Sequence, residues 1–229
     1  MKYLMILAGF CLAACNNSPA PAIVKDSTVI LADDTVIKTL TNQVEIIAAD
    51  TATRINFPEF KIVLAPLAAS SEGEIENDTV YCVAAPGEAI EEARIYITSS
   101  QLTDIKVEEQ AQTRLSISWE ESYYEFSEWK YGYTGWEELL MNEDSAYVTR
   151  SYSLEELSVF PEVTMEEVKA AIDGAEKDAW LEIIKNAKTI RDEPFEIFGD
   201  TFLLRVSGKR KDDGRTVTKI IIIQLASGC

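Results

Sequence analysis

The sequence predicts an α+β fold: a β-rich N-terminal part, an antiparallel sheet or sandwich, followed by a long helix packed on a C-terminal β-hairpin. Three observations carry that expectation. Short β-branched runs broken by polar residues fill the chain from Ile23 to Trp119. One helical stripe follows Thr164. Near the C-terminus, two apolar runs flank a charged turn that contains a glycine suited to positive φ.

In order, the strand candidates are Thr28 to Leu31, Val36 to Leu40, Val44 to Ala48, Lys61 to Leu64, Thr79 to Ala84, Ala93 to Thr98, Thr103 to Val107 and Arg114 to Trp119. Arg94-Ile95-Tyr96-Ile97-Thr98 and Leu115-Ser116-Ile117-Ser118-Trp119 alternate, which gives one buried and one wet face. Ser122 to Arg150 is crowded with aromatics and acids and has little period. Ser153-Leu154-Glu155-Glu156 and Thr164-Met165-Glu166-Glu167 then have the form of capping boxes, with Pro161 ending the first helix early. Val168, Ile172, Ala175, Ala179 and Ile183 keep helical phase through Gly174, so one helix is expected from Met165 to about Ala187. Thr201 to Val206 and Thr216 to Leu225 form the hairpin around Lys209 to Arg215. Ile220 to Ile223 reads as a central strand covered on both faces.

The chain begins with Lys2, a short apolar run from Tyr3 to Phe10, and Leu12-Ala13-Ala14-Cys15. The run is too short for a bilayer of about 30 Å, which takes about 20 residues. This segment resembles the signal peptide and cleavage site of bacterial lipoproteins. The resemblance implies that residues 1–14 are removed and that Cys15 is the lipid attachment residue, fixing the protein to a membrane of the cell envelope. Two acyl chains suffice for stable attachment. Asn16 is not the aspartate often associated with inner-membrane retention, so the outer membrane is favoured. An ordinary secretory signal, leaving a soluble product, is the other reading. Residues 15–22, with Pro19 and Pro21, form a tether. A β-rich lobe at 23–119 and an α+β lobe at 120–229 follow, either separate or one continuous domain.

Composition narrows the function. A net charge of −18 repels phosphate backbones, so nucleic acid is not an expected partner. With no histidine in the chain, Ser-His-Asp triads, Cys-His pairs and histidine-ligated zinc or haem are all excluded. Cys11 leaves with the signal and Cys15 takes the lipid, so Cys82 and Cys229 remain. They allow a single disulfide, or a buried free Cys82 beside a frayed terminus. Asp33-Asp34, Asn142-Glu143-Asp144 and Asp212-Asp213 lack EF-hand spacing and read as solvated turns; no metal or cofactor is expected. Ser127-Glu128-Trp129-Lys130 matches S-x-x-K, but the companion motifs of penicillin-binding enzymes are missing.

The stretch that reads as a contact surface is the aromatic belt. Trp119, Tyr124, Trp129, Tyr131, Tyr133 and Trp136, with Tyr123 and Phe126, are interleaved with glutamates. Flat rings beside carboxylates suit stacking on sugars, and tyrosine and tryptophan also anchor protein interfaces. The competing reading is an aromatic-rich connector covering a sheet edge. Three function classes follow. The leading one is a non-catalytic binding or assembly module with a glycan or protein partner. The others are a carboxylate-based glycan-active enzyme and a purely structural envelope subunit.

Overall fold

Strands dominate the computed structural model, which describes residues 47–49, 52–70, 75–76, 78–126 and 128–226, all within one contact-dense unit. In chain order they are β1 (Ile47–Ala49), β2 (Ala52–Asn56), β3 (Lys61–Ala65), β4 (Ala69–Ser70), β5 (Ile75–Glu76), β6 (Thr79–Ala84), β7 (Arg94–Thr98), β8 (Leu102–Trp119), β9 (Ser122–Glu125), β10 (Gly132–Tyr133), β11 (Glu137–Glu138), β12 (Tyr147–Val148), β13 (Phe195–Arg210) and β14 (Thr216–Gln224). Two short helices, α1 (Met165–Ala171) and α2 (Lys177–Ile183), lie between β12 and β13. The strand candidates at Thr28 to Leu31 and Val36 to Leu40 lie outside the described residues.

The strands form two sheets. The smaller has the order β1-β2-β3-β7-β12 and is antiparallel throughout. The larger runs β10-β8-β13-β14-β6-β4, with β9 and β11 also on β8 and β5 on β6. Its β14–β6 pairing is parallel. The central ladder is β8 with β13, and the register shifts at Gly199/Thr201 and Ser207/Lys209 are β-bulges that let these long strands bend. Sequence patterning predicts two strands where β8 is one of 18 residues. Glu108-Glu109-Gln110 reads as a polar break, yet Glu108 is held by Arg205 and Lys106, and Glu109 is fully buried.

A first core lies between the sheets: Ile55, Ile62, Leu64 and Ile95 meet Val80, Val107, Leu204 and Ile221. A second joins Leu115, Ile117 and Phe195 to Val168, Ile172, Trp180 and Ile184. Because β8 supplies Val107 and Ala111 to one and Leu115 and Ile117 to the other, both cores rest on the same strand.

The predicted α+β architecture is therefore wrong: the fold is mostly β, and among the described residues no long helix lies on the terminal hairpin. The helix expected from Met165 to Ala187 is broken. Thr164 caps α1 with a full capping box, its hydroxyl accepting from Glu167 N–H while the Glu167 side chain takes the Thr164 N–H. Ile172 then turns extended (ψ 125°) and Gly174 takes φ +83°, a left-handed conformation that glycine adopts without steric cost. The apolar period runs through the break because the alanines kept it. Ala175 and Ala179 are exposed, while Met165, Val168, Ile172, Trp180 and Ile184 are buried in the core. The helices cover the far end of β8 and the start of β13, away from the β13–β14 hairpin. That hairpin's Ile221 and Ile223 are fully buried, whereas Ile220 and Ile222 are half-buried on the opposite face.

Candidate functional site

The aromatic belt is an interrupted edge strand. In succession β9 pairs Ser116 to Trp119 of β8, β10 pairs Thr113 and Gln112, and β11 pairs Glu109 and Glu108. Strand alternation sends the side chains of β9 to opposite faces, and the turn that follows brings Trp129 back against Phe126. Phe126, Tyr124 and Trp129 go inward: Phe126 is buried, and its ring centroid is 5.0 Å from Tyr124 and 5.2 Å from Trp129. Tyr124 also meets Trp180 at 5.7 Å, and its hydroxyl accepts from Asp173 N–H and donates to Asp173 Oδ1. These rings are core. Trp119 (47% exposed), Tyr123 (51%) and Tyr133 (46%) remain in solvent, and Tyr131 and Trp136 are half-buried. Trp136 is covered by the Arg205 guanidinium, 4.2 Å from the ring centroid.

Register shows what Tyr133 shares its face with. On the core side of the large sheet lie Val80 and Cys82 of β6, Ile221 and Ile223 of β14, Phe202 and Leu204 of β13, and Val107 and Ala111 of β8. The alternate residues line up in three rows on the other side. One row is Val83, Gln224, Thr201, Gln112 and Tyr133. The next is Tyr81, Ile222, Leu203 and Gln110. The third is Thr79, Ile220, Arg205, Glu108 and Glu138. At about 4.8 Å per strand, five strands span about 19 Å from Val83 to Tyr133. Tyr81 is 45% exposed.

The charges on this open face are balanced. Arg205 Nε donates to Glu108 Oε2 at 2.7 Å, and Lys106 Nζ lies 3.0 Å from Glu108 and 3.2 Å from Glu138. Both cations hold the Glu108 carboxyl below its ordinary range, the Arg205 hydrogen bond most of all. In a chain with a net charge of −18, this surface is a neutral island of rings, aliphatics and side-chain amides.

Beside it, behind the β10–β11 edge, is a cleft of about 190 Å³ lined by Thr134, Gly135, Glu137, Arg150, Glu156 and Val159. Arg150 is locked: its guanidinium bonds Glu156 Oε1 at 2.6 Å and lies 5.1 Å from the Tyr152 ring centroid. Its backbone N–H donates to Oε2 of the fully buried Glu109 at 2.9 Å. Glu109 Oε1 has no hydrogen-bond partner, and the buried Tyr152 hydroxyl lies beside the Thr134 side chain, whose hydrogen bonding opposes the upward shift of the phenol. Burial pushes the Glu109 carboxyl up to about 7, against the weaker opposing pull of Arg150. Burial and the Glu109 charge push the Tyr152 hydroxyl up as well. Gly132 makes the arrangement possible, since a Cβ there would collide with Val159 O.

The other expected site residues are scattered. Cys15 and Cys229 lie outside the described residues, as does Ser127. Cys82 is a buried free thiol raised to about 12 by desolvation. Lys130, of the S-x-x-K match, bonds Glu167 at 2.8 Å. The Asn142 side chain accepts from Asp144 and Ala146 N–H groups, which makes that acidic stretch a turn. Among the described residues, no group of three or more His, Cys, Asp or Glu is placed to hold a metal. The hairpin tip pairs its cations with local acids, Arg210 with Asp212 at 2.8 Å and Lys209 with Asp104 at 3.1 Å.

Sequence reasoning missed Tyr81, Leu203, Ile220, Ile222 and Arg205 on the open face, and Glu109, Arg150 and Tyr152 at the cleft. A signal for Glu109 was present. Val107, Ala111, Thr113, Leu115 and Ile117 alternate with it in phase, so reading β8 as one strand would have placed it indoors. No protein-family model, curated protein or solved structure matches this chain.

Proposed function

We propose that this protein is a lipid-anchored binding module of the cell envelope, without catalysis of its own, which takes a neutral glycan on the open face of the large sheet. The observation that carries this reading is the face itself. Tyr81 and Tyr133 offer exposed rings, Gln112 and Gln224 offer donors and acceptors between them, and the local charges cancel. Rings stack on the apolar faces of sugars while amides bond their hydroxyls. A basic protein partner would find no net negative field here, although the rest of the chain supplies one. The anchor at Cys15 and the tether from Asn16 to Ala22 come from the lipoprotein resemblance and would hold the module beside a membrane.

The test is an oligosaccharide array probed with the wild type, Tyr81→Ala and Tyr133→Ala. Both side chains are about half exposed, so the variants keep wild-type thermal stability. Loss of glycan signal supports the reading. An unchanged signal, or capture of a protein partner by the same face, overturns it.

One observation favours a second reading, glycan cleavage by carboxylates. Glu137 and Glu156 line the cleft, and Glu109 behind them titrates at about 7, the range of a general acid. Glu109 is, however, sealed from solvent, so binding ranks first. Release of reducing ends from a bound oligosaccharide, lost in Glu137→Gln or Glu156→Gln, would reverse that ranking.

A further inference from the structure

We propose that the outer face of the small sheet is the surface on which the protein rests against its membrane, with Arg54, Lys61 and Arg94 set among the phosphates of anionic lipid headgroups. This rests on the lipid anchor in the reading above.

Strands β1, β2, β3, β7 and β12 contain no aspartate or glutamate, in a chain that has 39 of them. They do contain Arg54, Lys61 and Arg94, and alternation puts all three on one side. Ile55, Ile62, Leu64 and Ile95 fill the core between the sheets, so the residues alternating with them face outward, and the three cations are exposed. Register sets Arg54, Val63 and Tyr96 in one row, with Lys61 in the next row beside Asn56 and Thr98, and Arg94 in a third beside Ala65. At about 4.8 Å between strands and about 3.4 Å per residue, the Cα atoms of the three cations lie within about 15 Å of one another. Among the described residues Arg94 has an ion pair, a solvated one with Asp144 at 3.6 Å, while Arg54 and Lys61 have none. Glu59, at the β2–β3 turn, is turned to Lys219 at 3.7 Å.

Connectivity and charge choose the occupant. From Cys15 the polypeptide joins the described fold at β1, an edge strand of the small sheet. The intervening chain is long enough to let either outer face meet the leaflet, so charge decides between them. The open face of the large sheet is neutral; the small sheet offers three cations against one acid. Screening holds the reach of each charge to about 8 Å at physiological ionic strength, so a leaflet in contact meets these cations rather than the acids on the rest of the chain. Each cation beside an anionic leaflet improves partition about fivefold. Tyr96, half-buried between them, has the amphipathic ring that suits a membrane interface. The two outer faces lie on opposite sides of the first core, so a protein resting on the small sheet turns the glycan face away from the lipid.

The test uses the full chain, produced with its own signal and purified from cell membranes in detergent. It is returned to vesicles of phosphatidylcholine alone, or of two parts phosphatidylcholine to one part phosphatidylglycerol. Intact mass reports acylation at Cys15, and sulfosuccinimidyl acetate, which does not cross bilayers, reports lysine exposure by peptide mass spectrometry. On the mixed vesicles Lys61 is acetylated at least about tenfold more slowly than on phosphatidylcholine, while Lys106, on the opposite face, keeps its rate. Arg54→Gln with Arg94→Gln removes about 25-fold of the preference, two factors of five, and Lys61 then reacts alike on both vesicle types. Arg54→Lys with Arg94→Lys keeps the protection. Both arginines are exposed, so melting temperatures stay near wild type. Salt at about 1 M, where the screening length falls to about 3 Å, also removes the protection. Equal Lys61 rates on the two vesicle types, with Cys15 acylated, overturn this inference and leave the anchor standing. Protection of Lys61 that grows with protein concentration in detergent alone, the mark of a second copy on this face, overturns it too. An unmodified Cys15 overturns the anchor, and this inference falls with it.

Discussion

Glu109→Gln tests whether the buried carboxyl is as poorly served as its surroundings suggest. Burial holds the acid at about 7 against an ordinary 4.5. Between those values the folded state keeps a proton that the unfolded chain has released, so stability falls as pH rises through the interval. At about 1.4 kcal/mol per pH unit, the loss amounts to about 3 kcal/mol by pH 8. Glutamine has the shape of the protonated acid and can still accept from Arg150 N–H. It stays neutral at every pH. The variant is therefore expected to be more stable than wild type by about 3 kcal/mol at pH 8 and by less than about 1 kcal/mol at pH 5. Urea midpoints measured from pH 4.5 to 8.5 read this directly, since every other titrating group is common to both proteins. A variant destabilised equally at both ends of the range would show that the ionised carboxylate is well solvated in the fold, and the account of the cleft floor would fail.

Other expectations follow from single positions. Gly174→Ala lowers stability by about 1 kcal/mol, because φ is +83° there; in a continuous helix the same change would raise it by about as much, so the sign of the shift in melting temperature decides. Gly132→Ala drives a methyl into Val159 O and costs at least about 1–3 kcal/mol by chemical denaturation. Trp129→Ala opens the second core between Phe126 and Phe160 and lowers stability by about 2–4 kcal/mol, whereas Tyr133→Ala changes it by under about 0.5 kcal/mol. Native Cys82, 2% exposed and raised to about 12, resists iodoacetamide until denaturant is added, as peptide mass mapping would record.

Much of the β-structure was legible because it obeys local rules. Thr79–Ala84 and Arg94–Thr98 alternate inside the range of a single strand, and Thr164 carries its cap in four residues. What failed was non-local. The acids in the middle of β8 read as a break because their partners, Arg205 and the Arg150 backbone, are 97 and 41 residues away. The two helices read as one because small exposed alanines mimic a buried stripe. The belt was legible as composition but not as geometry, since the turn that tucks Trp129 against Phe126 and Phe160 and the pairing that exposes Tyr133 are both set by distant residues. The cleft had no sequence signature beyond the phase of Glu109.

The parallel pairing of β6 with β14 has a consequence for biogenesis. Residues 79–83 of β6 wait for 220–224, the last strand of the sheet, before their outer hydrogen bonds are satisfied. A chain emerging amino end first thus carries its early strands with open edges until Gln224 has been made, in the manner of non-local topologies that fold slowly. Truncation before Thr216 would leave both β6 and β13 ready to pair with strangers, so inclusion bodies rather than a smaller folded fragment are the natural product of an early stop codon.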